Sequence, residues 1–532
     1  MDLRRRLLGH SWAQLVLTVA VVILANTWAA RTFWRVDLTE DRLFSLDLVT
    51  RALVARLDKP LTARVYFTRG LEAPYNNHEQ LVVDKLEDLR AYSKGWMEVE
   101  VVDPSDRPDA QEEAKRFGIE PIQYRFRSSA VTEMKQVWMG AALIYGDRQE
   151  SLTAITVTEN LEYDLARALK RLLSEQGPRT IGWSTSFGEP DLFAGGQTPL
   201  ERIRAALADE YLLQPVTLGG PGGVPEEVDV LYVVGPQRPV SERAQYQIDQ
   251  HLMRGGALAV FLTNTKPDMR TLRPQAVYHG LEGLVGAYGV QVNRDLVVDR
   301  AHSGMMNFPV RQGNSVVSLP LNYPLIPKST ALHGEHPAVR GLTEMLFPFA
   351  SSLTVAEALP PGVESAVLAA SDATTSGRLR GVVTLDPSAF KARAPGEEVG
   401  ASALMVAMSG PWTSAFASRE IPRPMVDGQP GDPDDPGSRI REGAPARLVV
   451  AGSADFVANN IAFMLNLTDW LAEDESLIGI RSKAVKHPQI TAPSPERARV
   501  FKLVNLLGGS VLLAIFSLGR WLMRRPPAGG AA

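Results

Sequence analysis

Cysteine is absent from all 532 residues. That absence removes every thiol nucleophile, redox CxxC pair, zinc ribbon and iron-sulfur ligand set. It also suits a chain exported into an oxidising space, where a stray thiol is a liability. An excess of either charge is missing too: 56 Lys and Arg stand against 60 Asp and Glu, for a net charge of −4. No global basic field therefore draws the chain to nucleic acid. GxxxxGK[ST], GxSxG and HExxH do not occur, so the chain is not itself a P-loop ATPase and carries no elbow serine or zincin helix. Ser388-Ala389-Phe390-Lys391 matches SxxK, but SDN and KTG are lacking, which makes it a chance match. His333 and His336 are spaced to share a helical face, yet Gly334 and Pro337 interrupt any helix there and no third ligand is near. The chemistry expected is no metal, no other cofactor and no catalytic centre, although Ser, Asp and His residues distant in sequence can still meet in space.

What is present is a folded, 22% charged and 45% apolar chain, long enough for several domains. Trp12 to Ala30 is an uncharged apolar run preceded by Arg4, Arg5 and Arg6, about the 20 residues a hydrocarbon core requires. It exceeds the usual apolar stretch of a signal peptide, and Trp28 sits badly for cleavage after Ala30. Leu503 to Met523 is a second run closed by Arg520, Trp521, Arg524 and Arg525, an interfacial anchor pattern. On it Asn505, Gly508, Gly509 and Ser510 are the small and polar residues that let another membrane helix pack closely. Two spans put both termini on one side. The flanking charges and the missing cysteines favour cytoplasmic termini and a large domain outside, in the periplasm of a bacterial inner membrane.

Between the runs, helical and strand periodicities alternate. Leu43, Leu46, Val49, Leu53 and Leu57 mark a first helix. Next come a strand at PLTARVYFT, a helix from His78 to Lys94, a strand at MEVEVVDP, a helix from Asp109 to Phe117, strands near Ile122 to Arg127 and Val137 to Tyr145, and a helix through ENLEYDLARALKRLL. This βαβαββα order predicts a thioredoxin-like domain over residues 36–175, a scaffold without the dithiol. From Arg179 the strands RTIGWSTS, VDVLYVVGP and ALAVFLT alternate with the helices PLERIRAALADEYLL and SERAQYQIDQHLMRGG, which predicts a doubly wound parallel sheet within residues 176–485. Further strands are expected at VESAVLAAS, LRGVVTLDP, ASALMVAMSGP and ARLVVAGSADF. Residues 427–439, rich in Pro, Gly and Asp, form an insertion expected to be mobile and solvated. A linker over 486–502 leads to the last span and tail, 503–532.

The strand-end loops Ser184 to Asp191 and Gly235 to Arg238 fall on one edge of such a sheet, where doubly wound folds place ligands. Ser186, Glu189, Asp191, Gly235, Ser453 and Asp455 are the candidate cleft residues; turn and helix-cap roles are the competing reading of the acidic pair Glu189 and Asp455. Met305, Met306 and Phe308 lie in a Gly- and Pro-containing segment that is either a lid or partner-binding loop or a loop packed on its own domain.

The stretches RVDLTEDRLFSLDLVTRALVARLDKPLTARVYF, GEP at Gly188 to Pro190, VDVLYVVGPQRPVSERAQYQIDQHLMRGGALAVFL, and AGSADFVANN followed by MLNLTDWLAEDESLIGIRSK together resemble the GldG-type family of gliding-motility-associated ABC transporter auxiliary proteins, from about Arg35 to Lys483. The resemblance implies a thioredoxin-like unit followed by one resembling class I glutamine amidotransferases, and partnership with an ABC permease and an ABC ATPase. It does not carry gliding over, and a glutaminase is excluded because no cysteine can serve as its nucleophile. Phe187 precedes GEP where family members often carry His, so a polar task at that position is not inherited. The function expected is a non-catalytic, membrane-anchored auxiliary subunit that scaffolds or handles cargo. The alternative is a membrane-anchored hydrolase with a Ser/Asp site.

Overall fold

The computed structural model describes residues 45–473 except 128–131, 159, 175–176, 197, 313–314, 382, 427–428 and 433, together with residues 17, 20–21, 499, 502, 513 and 516–517. The two apolar runs, and with them Asn505, Gly508, Gly509 and Ser510, lie outside the described residues apart from those few positions. Among the described residues no helix is long and apolar enough to cross a membrane. The chain divides into two compact units, Met1–Val485 and Lys486–Ala532, and every strand among the described residues belongs to the first.

The fold is mixed α/β. Its N-terminal sheet has four strands in the order β2 (Met97–Val102), β1 (Leu61–Phe67), β5 (Met139–Tyr145), β6 (Arg148–Leu152). β1 and β2 run parallel across helix α2 (His78–Tyr92), and β5 and β6 are antiparallel. Helices α1 (Leu48–Ala55) and α4 (Leu161–Leu173) pack with α2 over one face. Asp47 caps α1 by accepting the Val49 amide at 3.0 Å. Glu162, opening α4, accepts the Asp47 amide and the Thr50 hydroxyl and lies 3.5 Å from Lys85 of α2, so one carboxylate ties three helices.

After α3 (Pro108–Arg116) the structure departs from the sequence expectation. Strand β3 (Ile122–Arg127) does not join the sheet; it pairs only with β4 (Thr132–Val137), and the hairpin stands apart from the four strands. The expected strand at Val137 to Tyr145 is two elements: Val137 ends the hairpin, Trp138 makes the break, and the apolar run from Met139 begins β5, buried almost throughout. Apolarity continuous across Trp138 hides that boundary.

The second sheet has ten strands among the described residues. Five are parallel, in the spatial order β8 (Leu212–Val216), β7 (Thr180–Ser184), β9 (Val228–Val234), β10 (Ala257–Phe261) and a strand far along the chain, Glu442–Ala451. Parallel strands need covered faces, and β9 is apolar on both. Val230, Tyr232 and Val234 face helices α5 (Glu201–Ala208) and Ile461–Leu471, while Leu231 and Val233 face α6 (Glu242–Met253). Strand β8 stands partly where the sequence pattern predicts the tail of the preceding helix. Leu212 to Val216 contains Gln214 and Pro215, and as an edge strand it needs neither full burial nor every ladder amide.

The remaining strands form an antiparallel wing. Ala403–Thr413 pairs with 442–451 and carries Glu364–Ala370 and Leu353–Val355 on its other side, with Val290–Val292 beyond. The expected strand LRGVVTLDP is only the end of a short strand, Ser376–Leu379, in a separate sheet with Leu296–Asp299. Most of the AHSGMMNFPVRQGN stretch, expected to be a loop, instead forms one strand of a long ribbon, Ser303–Gln312 against Ser315–Ser329, which Met345–Leu346 joins at Lys328 and Ser329.

A carboxylate fixes α6 to the wing. Asp249 is fully buried and accepts hydrogen bonds from Tyr288 Oη, Ser414 Oγ and the Ala415 amide, each at 2.7 Å, and from Gln250 at 2.9 Å. Burial and the charge of Asp249 push the Tyr288 phenol well above its ordinary pKa. Asp249→Ala orphans these donors together, so urea denaturation of the variant should show a loss of roughly 3–5 kcal/mol. A loss under about 1 kcal/mol would mean that this carboxylate does not hold the wing.

Candidate functional site

The carboxyl ends of the parallel strands carry the loops singled out in the sequence. Between β7 and β9 the strand order reverses, and there an open α/β sheet leaves a crevice. Here the two loops close on each other. The Gln237 and Arg238 amides donate to the Phe187 carbonyl at 2.9 and 3.0 Å, and the Arg238 guanidinium donates to the Ser186 carbonyl at 2.8 Å.

Glu189 turns inward. It is buried, and its two oxygens accept the Ser184 hydroxyl at 2.6 Å and the Phe187 amide at 2.5 Å. The carboxylate braces its own turn. Ser186 Oγ accepts the Leu218 amide at 2.7 Å, and Asp191 caps the following turn by accepting the Phe193 amide at 2.8 Å. Gly235 has φ of +56°, and a Cβ added there would stand 2.9 Å from the Ala454 Cβ. That close approach joins the loop after β9 to the loop after strand 442–451. Ser453 is fully buried and donates to the Pro348 carbonyl at 2.7 Å, and the Ala454 amide donates to Thr263 Oγ1 at 2.9 Å.

The candidates thus share one edge, but only Asp191 and Asp455 present exposed side chains there. Although its residue surface is exposed, the surrounding protein shields the Asp455 carboxylate enough to push its pKa up, against the pull of Lys266 on the neighbouring hairpin Thr265–Asp268/Arg273–Ala276. The histidine pair does other work. His336 Nδ1 accepts the Ala338 amide at 3.2 Å, its ring lies 4.9 Å from that of Trp470, and burial, then the nearby His333, lower its pKa to about 4.

Two features carry no local sequence signal. A cavity of about 180 Å³ opens beside this edge, lined by Asn264, Tyr278, Arg294 and Asp295 among others, and one of about 770 Å³ lies at the junction of the two sheets, where Arg148, Arg167 and Arg179 face Asp209 and Glu210. Residues from separate elements line both, so no local pattern marks them. The partner-segment candidates sit on the ribbon. Met305 is 72% exposed, whereas Met306 packs on the cluster around Tyr323 and Phe308 lies 6.3 Å from the Tyr323 ring. In the 427–439 insertion, Asp434 forms a two-pronged pair with the buried Arg243 at 2.6 and 3.1 Å.

The family model described as "ABC-type uncharacterized transport system" matches residues 178–476. A second, described as a domain of unknown function, matches 40–144. An uncharacterized protein of Borreliella burgdorferi is 20% identical over 530 residues, which are 96% of this chain and 97% of that one. The solved N-terminal domain of mmIFT52 aligns over 55% of this chain and 96% of its own at 13% identity, with a TM-score of 0.31.

Two outcomes are expected at the edge. A raised folded-state pKa means that the folded state binds the Asp455 proton more tightly, so stability contributed by protonated Asp455 is lost as pH rises from the ordinary carboxylate range through the folded value. Asp455→Asn should therefore be more stable than the parent at neutral pH, and thermal melts should show the gain closing below the ordinary range. Gly235→Val, forced into positive φ against Ala454, should lose roughly 2–4 kcal/mol in urea titrations.

Proposed function

Since the chain belongs to the ABC-type uncharacterized transport system family, whose model covers more than half of its 532 residues, we propose that it is the non-catalytic auxiliary subunit of an ABC transporter, anchored in a bacterial inner membrane by a span at each end, with its body in the periplasm. The family assignment carries the reading, and the GldG-type resemblance agrees with it. The full-length alignment with the Borreliella protein supports a layout shared from end to end. The order β2–β1–β5–β6 with a parallel β1–β2 pair supports a thioredoxin-like N-terminal domain, residues 36–175, carrying an inserted hairpin. The five parallel strands and their two helical layers support the amidotransferase-like assignment of residues 176–485.

ATP hydrolysis belongs to a partner, because this sequence has no phosphate-binding loop. The carboxyl edge favours scaffolding over hydrolysis. Ser186 and Ser453 engage the main chain, and Glu189 is locked in its own turn. The outward side of the ribbon around Met305 is the surface we assign to a protein partner or cargo. Mild-detergent extraction of the tagged full chain, followed by mass spectrometry, should recover a permease and an ATPase in fixed ratio. Recovery of this chain alone across several detergents would overturn the subunit reading.

A further inference from the structure

The first element after the N-terminal apolar run has an unusual outer face. Helix α1 buries Thr50, Leu53 and Val54 against α2 and α4, so it is firmly seated. Yet its first residue, Leu48, is 78% exposed, the most exposed large apolar side chain among the described residues. One turn on, Arg51 shares that face and lies with its guanidinium 4.8 Å from the Tyr92 ring centroid. At the other end of the helix, Lys94 Nζ donates to the Ala55 carbonyl at 3.2 Å, and Trp96 stands two residues later. Tyr92 and Trp96 are each 42% exposed. A leucine, two aromatics and two cations thus share one side of the N-terminal domain.

Such a set joins exposed apolar and aromatic surface to cations, a combination suited to a lipid headgroup layer. Tyr and Trp rings place an apolar body and a polar edge at that depth, and Lys and Arg meet anionic phosphates. The occupant is also within reach. The uncharged run ends at Ala30, within about 20 residues of Leu48, a tether of at most about 70 Å fully extended. The ribbon around Met305 lacks this pairing: from Ser303 to Ser329 its only cations are Arg311 and Lys328, and it has no Tyr or Trp other than the buried Tyr323.

We propose that the face formed by Leu48, Arg51, Tyr92, Lys94 and Trp96 rests in the headgroup region of the bilayer that holds the N-terminal run, and so fixes the orientation of the N-terminal domain on the membrane. The proposal rests on the anchored reading above.

Because the natural chain has no cysteine, single Leu48→Cys, Trp96→Cys and Met305→Cys variants of the full chain can each be labelled with an environment-sensitive fluorophore and reconstituted into phosphatidylcholine vesicles with about one-third phosphatidylglycerol. Positions 48 and 96 should shift to the blue and be quenched several-fold more by headgroup-depth spin-labelled lipid than position 305. Omitting phosphatidylglycerol should weaken the quenching. Equal, water-like emission at all three positions, in a chain that alkaline washing leaves in the vesicles, overturns the contact and spares the anchor. Release of the chain by the wash overturns both. If all three positions are quenched alike, the selective face is wrong.

Discussion

An inner parallel strand cannot face water on either side, because its crossovers consign it to the middle of three layers. The rest of the body is arranged around meeting that demand for β9. One face is covered locally by α6, which immediately succeeds it in sequence. The other is covered mainly by the helix Ile461–Leu471, more than two hundred positions away. That distant helix is held by polar locks as well as packing: Tyr232 Oη pairs with Thr468 Oγ1 at 2.8 Å, and Tyr211 Oη donates to Asp469. The strand before it, Glu442–Ala451, slots beside β10 as the fifth parallel strand. Everything between β10 and residue 442 is therefore an excursion that must return its chain to the sheet. This explains how the antiparallel wing and the ribbon can be large without disturbing the parallel core.

The same economy governs the acidic side chains. Asp249 and Glu189 sit in or near the core, and each is satisfied largely by hydroxyl and amide donors, with no cation among their hydrogen-bond partners. A carboxylate held this way joins elements that hydrophobic contact alone would leave free to slide, because each donor has a direction. It also spends its acceptor oxygens on the protein's own donors. An edge that resembles a ligand crevice by topology is thus occupied by its own loops.

The parts of this fold that are legible in sequence are those where burial is one-sided or complete over a whole element. The run VDVLYVV reads as a buried strand, and Leu161 to Leu173 shows its apolar stripe plainly. Legibility fails where an element is partly exposed. β8 hides behind Pro215 and Gln214 at a sheet edge, and the hairpin β3–β4 reads as sheet because its inner ladder alternates like one. The ribbon is unreadable as strand because Pro309, Pro320, Pro324 and Pro327 interrupt the usual signal. At the candidate site, sequence places Ser186, Glu189, Gly235 and Ser453 on the correct edge, because strand ends determine where loops go. It cannot tell which way Glu189 points, since that depends on Ser184 and the Phe187 amide five and two residues away in a turn of unknown shape.

Those prolines have a further consequence for how the body meets other molecules. Beyond Lys328 and Ser329, which pair with Leu346 and Met345, the ribbon leaves edge positions that invite strand addition, and proline removes the amides that an added strand would need. Pro320 and Pro327 pair opposite Asn307 and Ser303 in this ladder, so donors are missing along its length. Contact with the ribbon is then confined to its faces. On one of these, Leu319 lies opposite Phe308 and Leu321 opposite Met306, while Met305 points to the other. Between Ser303 and Ser329 there is no Asp or Glu. A ribbon whose only charged side chains are Arg311 and Lys328 and whose edges are interrupted by proline resists open-ended sheet growth.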